Sequence, residues 1–188
     1  MDALHAAAAL TEREHRLRAL EPGGNTCVAL SLPDMITAVA DVTAVFRQHR
    51  VPYALIGGLA VSVRSGEPHA TANVDFAIPT TADRDALTAA LEQRGFRLTG
   101  KFAHSINFEH TSGEPVQLAF DAGFDSIIAR AELVRFGELE LYVVTRDDLI
   151  SMKRRSAADP ARRRSKALRD QADIALLEGD VPEPDEGW

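Results

Sequence analysis

At 188 residues, with 45% hydrophobic and 26% charged side chains, the chain is long enough to bury one full core. Its composition excludes a disordered or collagenous protein, and no apolar run reaches bilayer-spanning length. A lone cysteine, Cys27, excludes an internal disulfide framework and points to a reducing, cytoplasmic setting, and Met1-Asp2-Ala3-Leu4-His5 lacks the basic leader of a signal peptide.

Residues 2–20 alternate alanine and leucine with charges and predict a helix, ended by Pro22-Gly23-Gly24-Asn25. Asp34 is placed to cap a helix over 35–49, whose Ile36, Val39, Val42, Val45 and Phe46 fall at helical spacing. Val51-Pro52 leads into a strand at Tyr53–Ile56. A short helix follows from Gly58 to about Arg64, broken by Ser65-Gly66-Glu67-Pro68. A strand is predicted over 73–78, stopped by Pro79. Thr81 or Asp83 would cap a helix over 82–94 that Gly95 closes. Residues 96–100 read as extended, and 103–121 as a hairpin turning at Thr111-Ser112-Gly113-Glu114-Pro115. Ser126–Leu133 reads as a short helix, Leu139–Val144 as a strand, and 146–157 and 161–178 as helices. The tail from Val181 to Trp188 is rich in Pro, Glu and Asp and predicts disorder. The expected division is an N-terminal helical extension over 1–33, a core over 34–145, C-terminal helices over 146–178 and an acidic tail over 179–188.

The net charge of −7 is unevenly spread. Residues 153–169 hold eight lysines and arginines against Asp159 alone, a local +7 that leaves the remainder at −14. Such a block is either a phosphate or RNA contact or a solvated helix face.

The polar residues of the predicted strands converge. Alternation sends Val74, Phe76 and Ile78 to one face and Asn73, Asp75 and Ala77 to the other. In the hairpin, matching apolar faces pairs Phe108 with Leu118 and Ile106 with Phe120, which sets Glu109 opposite Gln117 and Ser105 opposite Asp121. Asn73, Asp75, Glu109, Gln117 and Asp121 then share the face left open by the helices. Gly57-Gly58 lets backbone amides approach an anion, and the helix that follows favours negative charge at its start.

The stretch Tyr53–Ile78 resembles the nucleotidyltransferase superfamily, which includes polymerase beta, and is most similar to small bacterial toxin nucleotidyltransferases of the abortive-infection type. Glu114-Pro115-Val116-Gln117-Leu118, Asp147-Asp148-Leu149-Ile150-Ser151-Met152-Lys153 and Arg169-Asp170-Gln171-Ala172-Asp173-Ile174 extend the likeness over roughly 34–178. The resemblance implies an α+β fold, a mixed sheet with helices on one face, joined by C-terminal helices. It also implies transfer of a nucleotide from an NTP, with Mg²⁺, to an RNA, protein or small-molecule acceptor. Gly57 and Gly58 carry over as phosphate contacts and Asp75 as a metal ligand. Lys153, Asp170 and Asp173 match the family's C-terminal Lys and Asp positions. Two of the three metal carboxylates are absent, because Asn73 and Gln117 stand where the pattern has aspartates.

The expected site is therefore Asp75, Asn73 and Lys153 for catalysis, Gly57, Gly58 and Arg64 for the nucleotide, and Asp75, Asn73, Glu109 and Gln117 for the metal. RNA reached through the Lys153–Arg169 segment and a cognate antitoxin are the expected partners, with no membrane role. The alternative is a catalytically inactive member of the fold that binds a nucleotide, RNA or a protein partner. His69, near the phosphate site, is read as a surface histidine with a phosphate contact as the alternative, and Asp170 and Asp173 as partners of Lys166 and Arg169 on their own helix.

Overall fold

A computed structural model describes residues 33–67, 69, 71–136 and 139–180. The predicted helix over 2–20 and the tail beyond 180 lie outside the described residues. Helix α1 (Pro33–His49) begins with proline at a position where the missing amide costs nothing. Its Met35, Val39, Val42, Val45 and Phe46 are all buried, as their spacing requires. Strand β1 (Ala54–Ile56) follows and runs directly into helix α2 (Gly57–Ser65). Then come β2 (Val74–Ala77), α3 (Arg84–Glu92), β3 (Phe96–Lys101), β4 (Ser105–His110) and β5 (Pro115–Ala119). Helix α4 (Ala122–Ala129), β6 (Glu132–Phe136), β7 (Leu139–Val143), α5 (Arg146–Ala157) and α6 (Arg164–Glu178) complete the described chain.

The seven strands form one sheet in the order β3-β4-β5-β2-β1-β7-β6. It is mixed: β1 pairs antiparallel with β2 and parallel with β7, and β2 pairs parallel with β5. The α+β class read from the sequence is what the chain adopts. Central β1 is buried along its whole length. Phe46 on α1, Tyr53 before β1 and Phe76 on β2 meet as a ring cluster, with Phe46 and Phe76 edge-to-face at 5.4 Å. Helix α2 packs on β1 and β2 from one side and meets α5 and α6 on the other, so it joins the sheet to the C-terminal helix pair.

Three local readings are corrected. The hairpin register differs by two residues: Phe108 faces Val116, Ile106 faces Leu118, Asn107 faces Gln117 and Glu109 faces Pro115. Alternation fixes which face a residue takes but cannot distinguish shifts of two, and the short turn after His110 makes the choice. The helix placed at 126–133 is α4, four residues earlier, because Asp121 caps it by accepting from the Gly123 amide at 2.9 Å. Residues from Glu132 belong instead to β6, an antiparallel partner of β7 that the sequence reading did not contain. Elsewhere Asp83 is the cap of α3, accepting from the Ala86 amide at 3.0 Å.

Truncating Phe76 removes a fully buried ring from the centre of the cluster. Phe76→Ala is expected to cost about 3–5 kcal/mol in urea unfolding, whereas Leu168→Ala, at an exposed position on α6, should stay within roughly 0.5 kcal/mol of the parent.

Candidate functional site

Where β1 ends, Gly57 takes φ +73, a backbone conformation that favours glycine, and Gly57-Gly58 opens α2. No side chain caps this helix, and no acidic residue occupies its first turn, so its leading amides have no side-chain cap. The two glycines are also needed for space. A β-carbon on Gly57 would collide with the Asp75 carboxylate, lying 3.0 Å from its Cγ. One on Gly58 would come within 2.8 Å of the Thr71 side chain and 3.3 Å of His69 Nδ1. The segment 69–75 thus lies flush against the glycine turn.

Asp75 stands opposite Ile56 on one side and Gln117 on the other, and Gln117 stands opposite Asn107. Asp75, Gln117 and Asn107 therefore form a row across three strands. The Asn73 amide donates to Asp75 Oδ1. Asn107 Oδ1 is buried and accepts no hydrogen bond among the described residues.

The opposite wall comes from α5 and α6. Asp170 and Asp173, three apart on α6, are both buried. Lys153 Nζ reaches Asp173 Oδ2 at 2.5 Å and Asp170 Oδ1 at 3.3 Å. The Lys153–Asp173 contact is an ion pair off the hydrogen-bond axis, since Asp173 Oδ2 has no aligned donor. Arg162 Nε donates to Asp170 Oδ2 at 2.7 Å, and His69 Nε2 lies 2.6 Å from Asp173 Oδ1. The expected pairing of these aspartates with Lys166 and Arg169 is corrected: their partners come from α5, the α5–α6 loop and the segment before β2. Lys166 and Arg169 are instead exposed, line the cleft and form no ion pair among the described residues.

The cleft enclosed by these groups measures about 490 Å³. Burial pushes the Asp75 carboxyl up to about 7, against the opposing pull of Lys153, the Asn73 hydrogen bond and Lys166. For Asp173 burial works in the same direction, but the His69 hydrogen bond and the charges of Lys153 and His69 outweigh it and hold the carboxyl below its usual range.

The structure brings together Gly57, Gly58, Asn73, Asp75, Gln117 and Lys153 from the expected site. It does not bring Arg64 or Glu109. The Arg64 guanidinium turns to β7, donating to the carbonyls of Val143 at 2.8 Å and Val144 at 2.7 Å and pairing with Glu132 at 2.7 Å. Glu109 faces Pro115 and pairs with Arg97 at 2.8 Å. His69, Thr71, Arg162, Lys166, Arg169, Asp170 and Asp173 also line the cleft, although the expected catalytic, nucleotide and metal residues do not include them. The i, i+3 spacing of the two aspartates signalled a shared face, but nothing local signalled Lys153 as their partner.

Among solved structures, that of ANT(2″)-Ia in complex with adenylyl-2″-tobramycin is similar, with a TM-score of 0.56 and 17% identity, covering 78% of this chain and 91% of that one. The lincomycin-bound lincosamide antibiotic adenylyltransferase LnuA is similar at a TM-score of 0.56 and 13% identity, covering 77% of this chain and 96% of that one. An antigenic nucleotidyltransferase-like protein from Paracoccidioides brasiliensis gives 0.52 and 20%, covering 81% and 80%. The chain has the nucleotidyltransferase fold. No protein-family model and no curated protein matches it.

Nucleotidyltransferase-fold enzymes imply a divalent metal, and the residues present do not fit one. Mg²⁺ takes hard oxygen ligands, chiefly carboxylates and phosphates. No group of three or more His, Cys, Asp or Glu among the described residues is disposed to hold a metal. Asp75 is the one carboxylate in its row, its neighbours Asn73 and Gln117 are neutral amides, and Asp170 and Asp173 are held by cations.

Two outcomes follow for Asp75. In the native state it keeps its proton up to about pH 7, while the unfolded chain loses it near pH 4. Stability from this group is therefore present at low pH and lost between pH 4 and 7, with a ceiling of roughly 4 kcal/mol. Asp75→Asn should match the parent's melting temperature near pH 3 and exceed it by several degrees at pH 8. Gly57→Ala should cost about 2–4 kcal/mol in denaturant unfolding, and about 1–2 kcal/mol less in an Asp75→Ala background, because the carboxylate clash is gone while the backbone strain and a tight 3.1 Å contact with the β-carbon at position 75 remain.

Proposed function

We propose that this chain binds a nucleoside triphosphate in the cleft between β2 and α6, and that it does not carry out metal-dependent nucleotidyl transfer. The observation that carries this reading is the exchange of charge at the site. One carboxylate, its ionisation disfavoured by burial and hydrogen-bonded by Asn73, faces Lys166 and Arg169, while Lys153 and Arg162 on the same wall are balanced by Asp170 and Asp173. Metal-dependent phosphoryl chemistry needs anionic oxygens to hold the ion that neutralises the phosphates. In this reading Lys166 and Arg169, which line the cleft, neutralise the phosphates directly, and the α2 amides at Gly57-Gly58 add donors of fixed direction.

The ligand class is supported by the relatives as well as by the charges. ANT(2″)-Ia holds an adenylylated product and LnuA is an adenylyltransferase. Both observations bear on a nucleotide subsite in this fold. Arg155, Arg163 and Arg164 are exposed on the α5–α6 segment that also supplies the cleft's cations. They favour RNA as the second reading, in which the same cleft seats a strand end. The transfer reading, to an RNA, protein or small-molecule acceptor with Mg²⁺ at Asp75, rests on the retained contact between Gly57 and Asp75.

Calorimetry with ATP, with and without Mg²⁺, separates these. Saturable binding that changes less than about threefold on adding Mg²⁺ is expected, and Lys166→Glu with Arg169→Glu should weaken it at least about tenfold, roughly 1.4 kcal/mol. Asn73→Asp with Gln117→Asp should make binding Mg²⁺-dependent by restoring anionic oxygens. Transfer of labelled nucleotide to RNA or protein that Asp75→Ala abolishes would overturn the proposal in favour of an enzyme. A short RNA that outcompetes ATP, with a steep salt dependence, would favour the second reading.

A further inference from the structure

A larger cavity, about 760 Å³, opens at the far end of β1 from the glycine turn. β1 is three residues long, so the two sites are separated by a strand of ~10 Å. The cavity lies between the last turn of α1, the end of α4 and the β6–β7 hairpin. It belongs to neither the nucleotide cleft nor the proposal built on it.

Its wall is aromatic. Phe46 and Tyr53 lie with ring centres 4.8 Å apart, and Tyr53 meets Tyr142 edge-to-face at 5.8 Å. The ring cluster of the core thus continues outward into the cavity. Tyr142 and its cross-strand partner Leu133 remain 46% and 53% exposed there, although both are large apolar groups on a paired strand face. The volume is in the range that drug-sized ligands occupy.

Its rim is cationic on one side. Arg47 and Arg50 come from the end of α1, and neither forms an ion pair among the described residues. Arg47 is close enough to the Tyr53 phenol for its charge to act on that group. Arg50 has φ +54, the left-handed conformation in which helix ends favour glycine. The Val51 amide closes the helix end by donating to the Phe46 carbonyl at 2.9 Å. A glycine would serve this backbone better, yet the chain places a guanidinium there, at the mouth of the cavity. Glu140 on the facing wall repels a second negative charge, so the rim suits a monoanion rather than a polyphosphate.

We infer that this cavity is a second ligand site for an aromatic carboxylate, its ring against Tyr53 and Tyr142 and its carboxylate on Arg47 and Arg50. Flat rings match edge and face contacts with tyrosines, and the guanidinium fork matches a carboxylate.

The full chain is titrated with anilinonaphthalene sulfonate, a dye that fluoresces in apolar sites, and the dye is displaced with naphthoate. One saturable site per chain is expected, displaced by naphthoate at about tenfold lower concentration than by naphthalene methanol and not displaced by ATP. Arg50→Gly should raise the thermal midpoint by about 2–4 °C while weakening naphthoate about tenfold, so that lost binding cannot be lost folding. Tyr142→Ala should weaken it similarly. Naphthoate binding unchanged in both variants, or equal displacement by the alcohol, would overturn the assignment. So would the absence of a saturable site, whether residues 1–32 or a second copy covers the cavity, the latter read as self-association in sedimentation.

Discussion

Lys153 sits where three parts of the chain converge. It leaves α5, meets both aspartates of α6, and through Asp173 is joined to His69 on the segment leading into β2. That segment lies against the glycine turn, so one buried ion cluster positions both walls of the cleft. Desolvating such charges is expensive, and removing one partner from a buried pair leaves the other uncompensated, typically at a cost of about 3–5 kcal/mol. The cluster is tolerable because every charge is answered: Arg162 takes the second oxygen of Asp170, and His69 takes the first of Asp173. The same network explains why these two aspartates are unsuited to hold a metal. Their oxygens are already engaged.

The sheet decides the rest of the site. Because β2 lies between β1 and β5, Asp75 is brought level with the start of the glycine turn on one side and with Gln117 on the other. In that row a second or third carboxylate would assemble an anionic pocket. With amides there, Asp75 stands in a half-enclosed, cation-faced site where its own ionisation is disfavoured. With Asn73 and Gln117 as its neighbours, Asp75 is the one carboxylate of its row.

Much of this architecture was legible in the sequence, and the reasons differ by element. The spacing in α1 and the alternation in β2 are strong periodic signals, and Gly57-Gly58 after an apolar strand marks a turn with few alternatives. Asp75 could be placed beside that turn from its likeness to a known pattern. The hairpin register was not legible, since shifts of two residues preserve every face, and Glu109 was assigned to the site on that basis. β6 was missed because Glu132–Phe136 has short apolar positions broken by charge, with its partner only a few residues on. Arg64 shows a third limit. A cation about two turns beyond a phosphate-type loop suggests a phosphate contact, but a helix of nine residues turns its side chains through the full circle, and Arg64 points to β7.

That turn toward β7 has a consequence for how the cleft meets a ligand. Arg64 fastens the last turn of α2 to the carbonyls at the end of β7, Arg146 grips the Arg64 carbonyl in return, and the glycines at the helix start are pressed against Asp75 and Thr71. α2 is moored at bow and stern. Its amides therefore have little freedom to surrender when an anion arrives, and association draws on a receptor already set in its bound shape.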